Sequence, residues 1–458
     1  MAGPLPKKAV LVWLQMDQHL IPEMRELCLS AGYIVEEEVC QKKNEPDPRF
    51  YLGAGKVEEL LRFENIGVLI FATELTPSQI FNISSVTGKT IIDRTRIILD
   101  IFRDRASSPE SRLQVEIADL RYQMPILREY IHQGKLSERP GFMAGGEYKI
   151  DYYYEMIKKR TALLRKKLQT ERKRREQKRV LRKRKGLHTI AIAGYTNAGK
   201  STLMNRLMDS RSEAKHIAEG KLLFTTIATS TRKMKGDRKC IISDTVGFIT
   251  DLPPWLVEGF MSTLEEIFTA DIVILVVDAS ESMAVINRKL KDSLSILRSG
   301  GTDGHILVVF NKIDKGGVFE TEPEPDILLN KVVDWEQTNH ISGAAAVSAL
   351  NGSGIDELLG MVLEFLPPLI DVELRMPAGR RTFELASQLK RDWDLSVTYA
   401  DDGYILLRGR IEERTAGYCF KKVEEEGGSW KKGDALKEGS PEKTRNIVLP
   451  FHNEGEDP

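Results

Sequence analysis

The segment GYTNAGKS at residues 194–201 has the residue types and spacing of a phosphate-binding loop, G-x-x-x-x-G-K-S. It follows a predicted strand and opens a predicted helix, a setting that a chance match in a loop would lack. Backbone amides and the helix N-terminus would then face phosphate oxygens. We expect Lys200 to reach the β- and γ-phosphates of a nucleoside triphosphate and the Ser201 hydroxyl to bind Mg²⁺. The other predicted contacts of this loop are Gly194, Tyr195, Thr196, Asn197, Ala198, Gly199 and Thr202.

The segment DTVGFI at 244–249 adds a metal ligand and a phosphate sensor. Asp244 ends a predicted strand and is expected to hold Mg²⁺, and Gly247 is expected to offer its backbone N–H to the γ-phosphate. Many GTPases carry a glutamine after this glycine, and that glutamine orients the attacking water. Phe248 occupies the position here and neither donates nor accepts a hydrogen bond. The water therefore has to be positioned by backbone, by a cation or by a partner.

A threonine-rich run, LLFTTIATSTR at 222–232, lies between these two segments. A threonine in this place contacts Mg²⁺ and the γ-phosphate and is released when phosphate leaves. Thr226 is the first choice and Thr225 the second, whereas Thr229 and Thr231 fit a solvent-facing strand. The predicted catalytic residues are therefore Lys200, Thr226, Gly247 and Asn197, the predicted Mg²⁺ ligands are Ser201, Thr226 and Asp244, and Phe224, Thr225, Thr245 and Val246 complete this part of the predicted contacts.

The segment NKID at 311–314 indicates which base is bound. The Asp314 carboxylate can accept hydrogen bonds from both N1–H and the 2-amino group of guanine, and adenine offers no such pair. A site built around such polar groups can reject an analogue that lacks their partners by roughly 10⁴-fold. These motifs occur in the order that a GTPase needs, so GTP and GDP are the predicted ligands. The predicted base contacts are Asn311, which steadies the purine edge, Lys312, whose stem packs across the base, Ile313, Asp314, and the later Ser348, Ala349 and Leu350, of which Ala349 would offer its N–H to guanine O6.

Asn197 is a candidate ligand for a second cation. In GTPases similar at this position, an asparagine helps to coordinate a K⁺ ion that bridges the phosphates. Such an ion would take the place of an arginine finger and offset the developing charge. The alternative is that Asn197 only shapes the loop.

Apolar patterning predicts an α/β protein with several domains. Strands and helices alternate over 1–127, which predicts an N-terminal α/β domain. Residues 188–366 alternate again, with continuously apolar strands that are typical of a buried, mostly parallel sheet. Residues 367–458 predict a small C-terminal α+β domain. Between the first two domains, 128–187 is expected to form a basic helical hairpin or linker.

The linker is strongly basic. From Lys158 to Lys185 there are sixteen Lys and Arg and two Glu, although the whole chain of 458 residues has 67 basic and 67 acidic side chains. An excess of fourteen positive charges favours a polyanionic partner, whereas an ordinary solvated helix usually mixes its signs. The N-terminus does not resemble a signal peptide, no apolar run approaches the length of a membrane span, and the four cysteines are scattered. We expect a cytoplasmic monomer that does not bind a membrane.

Several segments together resemble the HflX family of ribosome-associated GTPases, in an archaeal branch. They are FTTIATSTR, DTVGFI, YLGAGKVEEL, ELTPSQIFNI and DRTRIILDIFRDRASSPESRLQVEIADLRYQMPIL, and the resemblance covers about residues 9–366. It implies a GTP-hydrolysing factor that binds the large ribosomal subunit, through rRNA contacts of the basic helix, and splits or rescues ribosomes under stress. The alternative is an RNA- or ribosome-binding anti-association module in which hydrolysis is incidental.

Two segments depart from simple expectations. Familiar bacterial members carry G-P-G-E-T-Q-L-E before the basic helix, whereas this chain has FMAGGEYKIDYYYEMI at 142–157 and keeps only the Gly146–Glu147 core. Ribosome contacts of that loop therefore do not transfer directly. The sequence GAGK at 53–56 resembles a second phosphate loop, but Val57 follows Lys56 where Ser or Thr is needed. The family's N-terminal domain is associated with adenine nucleotides, so GAGK is one candidate for a second nucleotide site. The alternative is a tight glycine turn before a helix at 57–65.

Overall fold

In a computed structural model, the chain forms two compact units, Met1–Val180 with His188–Met361, and Leu181–Leu187 with Val362–Pro458. The structure describes residues 7–106, 108–137, 145–184, 187–208, 230–235, 238–244, 247–248, 255–256, 264–317, 324–326, 329, 341–393, 395–399 and 402–433. Within these residues, no helix combines the length and the apolar character that crossing a membrane requires.

The first unit begins with a four-stranded, all-parallel sheet of order β2-β1-β3-β4. Alternate residues of the first strand enter two different cores, because Ala9 and Leu11 pack on one face while Val10 and Val12 pack on the other. A strand buried on both faces is what a doubly covered parallel sheet requires. The strands are β1 Lys7–Leu14, β2 Tyr33–Gln41, β3 Val68–Phe71 and β4 Thr90–Ile92.

Four helices cover this sheet, and two of them begin at side-chain caps. Thr76 accepts a hydrogen bond from the Gln79 amide in a full capping box, with Pro77 at the first helical position. Asp93 caps the next helix by accepting from the Arg96 amide. The helices are α1 Ile21–Ser30, α2 Ala54–Glu59, α3 Pro77–Thr87 and α4 Arg94–Arg105, and short 3₁₀ turns span Gln15–Leu20 and Leu60–Arg62.

Two long helices, α5 Pro109–Ser137 and α6 Gly145–Arg184, pack antiparallel. The pairing is visible in three contacts in which one residue number falls as the other rises. Arg128 lies over the Tyr154 ring, Arg160 pairs with Glu116, and Arg175 pairs with Glu110. The domain boundary expected at residue 127 falls inside α5, because this helix continues through Pro125.

The second sheet of the first unit has six strands in the order β10-β9-β8-β5-β7-β6. All neighbours are parallel except β6, which runs antiparallel to β7. The central strands are almost wholly buried, as their continuous apolar sequence predicts. The elements are β5 His188–Gly194, α7 Lys200–Leu207, β6 Ser230–Lys233, β7 Cys240–Asp244, β8 Ile272–Asp278, α8 Met283–Ser299, β9 His305–Asn311, a 3₁₀ turn Ile313–Lys315, β10 Ile341–Val347 and α9 Ile355–Glu364.

The second unit has a four-stranded antiparallel sheet of order β12-β13-β11-β14 and the element sequence βαββαβ. Its first strand alternates between a buried face at Val372 and Leu374 and a more exposed face at Asp371 and Arg375. The split βαβ arrangement of ferredoxin-like domains has this pattern. The elements are β11 Leu369–Pro377, α10 Arg380–Trp393, β12 Ser396–Tyr399, β13 Tyr404–Glu412, α11 Glu413–Glu425 and β14 Ser429–Lys432.

Candidate nucleotide site

Two glycines let the loop after β5 pass close to its neighbours. Gly194 has φ +135°, and a Cβ there would lie 2.2 Å from the Val276 carbonyl oxygen. Gly199 has φ +90°, and a Cβ there would lie 2.2 Å from Asn311 Nδ2. Both positions therefore exclude other side chains on two grounds, backbone conformation and space. The loop ends at Lys200, the first residue of α7, which is the strand–loop–helix geometry of a phosphate site.

Lys200 is buried in the centre of this loop. Its Nζ donates a hydrogen bond to the Tyr195 carbonyl oxygen at 2.6 Å. Burial lowers the pKa of Lys200 to about 8, although the carboxylate of Asp244 opposes the shift. A Cβ built on Gly247 would lie 2.7 Å from Lys200 Nζ, so the glycine of the D-x-x-G segment lies against the lysine. The structure thus brings together Lys200 and Gly247, two residues that were predicted to contact phosphate.

The Ser201 hydroxyl and the Asp244 carboxylate form a compact oxygen-rich pair. Ser201 Oγ donates to Asp244 Oδ2 at 3.1 Å, and Asp244 is fully buried. Hydroxyl and carboxylate oxygens are the hard ligands that Mg²⁺ prefers, and Mg²⁺ is usually held by one or two protein ligands together with substrate phosphates. The donor set therefore fits Mg²⁺, with Ser201 directly after Lys200 in α7 and Asp244 at the end of β7.

The base-side residues form a connected hydrogen-bond network. Asn311 is buried and links two loops, because its Nδ2 donates to the Ala198 carbonyl oxygen at 2.8 Å and its Oδ1 accepts from the Ala349 amide at 2.9 Å. The Ala349 N–H that was expected to meet guanine O6 therefore already has an acceptor here. Ser348 Oγ donates to the carboxylate of Asp314, which is exposed at the rim.

Lys312 adopts φ +68°, and its Nζ donates to Asp278 Oδ2 at 2.6 Å. Burial would raise the pKa of Asp278, but the hydrogen bond and charge of Lys312 outweigh burial and hold it below its usual value. Ser280 also donates to Asp278, through both its hydroxyl and its amide. Sequence reasoning missed Asp278, because a carboxylate at a strand end is a common turn residue and only the fold brings it to Lys312.

Phe248 packs into the protein rather than toward the loop opening. Its ring is 4% exposed and meets the Tyr195 ring edge to face, with centroids 6.2 Å apart. Its amide donates to the Gly194 carbonyl oxygen and its carbonyl accepts from the Thr196 amide, each at 3.0 Å. Phe248 therefore joins the D-x-x-G segment to the start of the phosphate loop.

The remaining predicted residues have mixed outcomes. Asn197 is exposed and has φ +63°. Thr202 lies in α7, Ile313 packs against the core of the second sheet, and Leu350 is exposed. A further residue, Arg206, was not foreseen. Its Nε donates to the Ala349 carbonyl oxygen at 2.9 Å and its Nη2 to the Leu350 carbonyl oxygen. Five predicted contacts, Phe224, Thr225, Thr226, Thr245 and Val246, lie outside the described residues.

The GAGK segment does not have the geometry of the loop after β5. The helix expected at 57–65 already begins at Ala54, and Gly53 has φ −67° instead of a left-handed conformation. The Gly53 amide donates to Gln41 Oε1, and Lys56 pairs with Glu59 at 2.8 Å. Lys56 therefore pairs with a residue of its own helix, three positions later in the sequence.

Comparisons with known proteins identify relatives of this chain. Three family models match, "GTP-binding GTPase N-terminal" over residues 18–103, "GTP-binding GTPase Middle Region" over 105–182 and "50S ribosome-binding GTPase" over 189–312. The chain is 35% identical to the GTPase HflX of Thermofilum pendens over 88% of this chain and 93% of that protein. It is 41% identical to the GTPase HflX of Thermococcus kodakarensis over 74% of this chain and 75% of that protein.

A solved structure titled as a complex of SsGBP with GDP matches 79% of this chain and 98% of its own, at 27% identity and a TM-score of 0.50. The α/β architecture with a mostly parallel sheet is thus confirmed, as are the phosphate loop and the ability to hydrolyse GTP that the motifs predicted. The family resemblance noted in the sequence is confirmed as well. The chain belongs to the HflX family of GTPases.

Proposed function

We propose that this GTPase binds the large ribosomal subunit through rRNA contacts of α6 and, in its GTP form, splits or rescues ribosomes under stress. The observation that carries the proposal is the excess of fourteen positive charges between residues 158 and 185, a segment that lies in α6 up to Arg184. Phosphate contacts made by such a helix position a protein on RNA without reading its sequence. A family model named for 50S ribosome binding matches the GTPase domain and supports the same partner.

Part of the charge of α6 is exposed and part is already paired. Arg160 and Arg175 pair with carboxylates of α5 and hold the hairpin together. Six other basic side chains are exposed and make no ion pair to any residue that the structure describes, and these are the ones available to phosphates: Lys159, Arg165, Lys166, Lys167, Arg172 and Lys173.

For hydrolysis, we propose the following roles at the nucleotide site. Lys200 and the Gly247 amide bind phosphate oxygens, Ser201 and Asp244 hold Mg²⁺, and Asn311 and Asp314 recognise guanine. Mg²⁺ neutralises charge that develops on the phosphates. Thr226 completes the magnesium site in the GTP form. Its release after hydrolysis then weakens ribosome binding.

Phe248 supplies no group for orienting water, so we propose that K⁺ bound near Asn197, together with the ribosome, accelerates hydrolysis. Comparing turnover in K⁺ and Na⁺, with and without large subunits, tests this idea. We expect the highest rate with K⁺ and large subunits together. Equal rates under all four conditions would contradict both parts of the proposal.

Sedimentation of ribosomes with the protein tests the proposed function. We expect co-sedimentation with large subunits in the presence of a nonhydrolysable GTP analogue, weaker association with GDP, and a decrease in the intact-ribosome peak when splitting occurs. If association with large subunits is equally strong in every nucleotide state and subunits do not stimulate turnover, the alternative is favoured, an anti-association module in which hydrolysis is incidental. Absence of association in every nucleotide state would overturn the proposal.

A further inference from the structure

An aromatic patch lies on α6, ahead of the basic segment. Tyr152 is 68% exposed, Tyr153 50% and Met156 45%. Residues three and four apart share one side of a helix, so Met156 lies beside both tyrosines. Single exposed apolar side chains are ordinary, whereas contiguous exposed apolar surface is typical of interaction sites when it is extensive.

Packing of the hairpin does not require these side chains. Other side chains of the helix supply the anchors, because Ile157 is buried and the Tyr154 ring lies under the Arg128 guanidinium of α5 at 4.9 Å. The Tyr152 and Tyr153 rings contact each other, with centroids 6.1 Å apart and planes at 73°. The two rings are thus supported by a helix that is fixed elsewhere, while half or more of each tyrosine remains exposed.

The charge beside the patch identifies the partner. Lys158 and Lys159 follow the buried Ile157, and both are exposed, although Lys158 also pairs with Glu155 at 3.6 Å. Basic side chains that follow a nucleic-acid backbone, next to aromatic rings that accept bases, are the two elements of single-strand recognition. In duplex RNA the bases are stacked within the helix and unavailable to aromatic side chains, whereas loops and bulges offer unstacked bases.

We propose that Tyr152 and Tyr153 form a stacking surface for unpaired RNA bases, with the lysines that follow binding the adjoining phosphates. This inference rests on the proposed function, because it assigns the aromatic patch to the same RNA partner as α6. It also predicts a preference for single-stranded over duplex RNA, which charge alone would not produce.

Binding of a 12-nucleotide uridine oligomer and of a 12-base-pair RNA duplex to the full chain tests the proposal. For the double variant Tyr152→Ala/Tyr153→Ala we expect at least a tenfold loss of affinity for the oligomer, less than a twofold change for the duplex, and an unchanged salt dependence. The variant Tyr152→Phe/Tyr153→Phe keeps both rings and should bind within twofold of the wild type. Leu163→Ala removes another exposed apolar side chain of α6 and serves as the matched control.

Oligomer affinity that is unchanged in the alanine variant would overturn the stacking proposal, as would equal losses in the alanine and phenylalanine variants. Loss of binding to anionic vesicles, with RNA binding retained, would also overturn it and assign the patch to a membrane surface. Reversal of the six exposed α6 charges separates the two proposals. If the charge-reversal variant no longer binds large subunits while the alanine variant binds RNA normally, only the stacking proposal is wrong. If the charge-reversal variant still binds large subunits, the proposed function is wrong.

Discussion

At the scale of single residues, Phe248 explains how this GTPase differs from enzymes that place water with a glutamine. Its ring lies in the core against Tyr195, and its backbone bonds to Gly194 and Thr196. Because the side chain points into the core, exchanging it for glutamine would not bring an amide to the phosphates. The position therefore stabilises the site and does not take part in the chemistry.

For Phe248→Gln we expect a loss of about 2–4 kcal/mol in the free energy of unfolding, because an amide replaces an aromatic ring in a packed core. GTP turnover should not rise. Chemical denaturation and turnover measurements on the same preparation check both statements, and Phe248→Leu, which keeps an apolar side chain, should cost less. A rise in turnover of tenfold or more in Phe248→Gln would contradict this account.

Asp93 predicts a pH dependence of stability. Its buried carboxylate accepts from the Arg96 and Leu75 amides and from the Tyr122 hydroxyl. Burial raises its pKa to about 6, although these hydrogen bonds oppose the shift. The folded state therefore favours the protonated acid, and this contribution to stability is full below the unfolded pKa of 3.8 and is lost as the pH rises through 6.

Denaturation of the wild type and of Asp93→Asn at several pH values tests this dependence. We expect the wild type to be more stable relative to the variant at pH 4 to 5 than at pH 7, because the asparagine does not titrate. The difference should change by about 1–3 kcal/mol over this range. A difference that is constant with pH, or that grows toward neutral pH, would contradict the assignment.

At the scale of elements, Arg206 connects α7 to the loop that follows β10. It donates to the carbonyl oxygens of Ala349 and Leu350, next to the Ser348 that bonds to Asp314. The phosphate-side helix therefore helps to fix the base-side loop. No motif marks Arg206, since its partners lie more than a hundred residues later in the sequence.

For Arg206→Met we expect GDP affinity to fall by roughly three- to tenfold, since two charge-assisted hydrogen bonds to a partly exposed loop are lost. Turnover at saturating GTP should stay close to that of the wild type. Calorimetric titration with GDP and steady-state kinetics give the two values. Arg206→Lys keeps the charge but not the guanidinium group that donates two hydrogen bonds, so its GDP affinity should be intermediate. Wild-type GDP affinity in Arg206→Met would show that the loop holds its position without this residue.

Sequence predicted the elements whose signal is local. The buried strands of the second sheet follow from their continuous apolar runs. The extent of α5 was not predictable, because Pro125 normally ends a helix pattern yet here lies inside one. In the second unit, α11 and β14 were missed. Their positions depend on packing against β11 and β13, which sequence periodicity does not reveal.

The same distinction applies to the site. Lys200, Ser201, Asp244 and Asn311 were predictable, because each belongs to a short motif whose spacing reflects contact with one ligand. The Asp278 contact to Lys312 was not, since it joins the ends of two neighbouring strands and depends on sheet order alone.

At the scale of the whole molecule, Trp255 and Leu256, which follow the D-x-x-G motif, contact the N-terminal domain. Leu256 is fully buried in the core formed by the first sheet with α1 and α4, and Trp255 lies under the Arg121 guanidinium at 5.3 Å. Two residues placed only eight and nine positions after Gly247 therefore contribute to another domain's core. Packing of the first unit thus joins the nucleotide-binding domain to the domain before it.

We expect Leu256→Ala to cost about 2–4 kcal/mol in the stability of the N-terminal domain, because a buried leucine is removed from a packed core. Hydrogen exchange of the amides of α4 should accelerate, while those of β8 and β9 should not. Leu350→Ala, at an exposed leucine of the GTPase domain, is the control. Unchanged exchange in α4 would show that Leu256 does not support this core.

The central claim is that the exposed charge of α6 brings this GTPase to the large ribosomal subunit. The most direct measurement is GTP turnover as a function of large-subunit concentration, for the wild type and for Lys166→Glu/Lys173→Glu, with Arg288→Glu/Arg298→Glu on α8 as the matched charge reversal. We predict that subunits stimulate the wild type and the α8 variant alike, while the α6 variant needs at least tenfold more subunits and keeps its basal rate. Equal stimulation of all three proteins would contradict the claim.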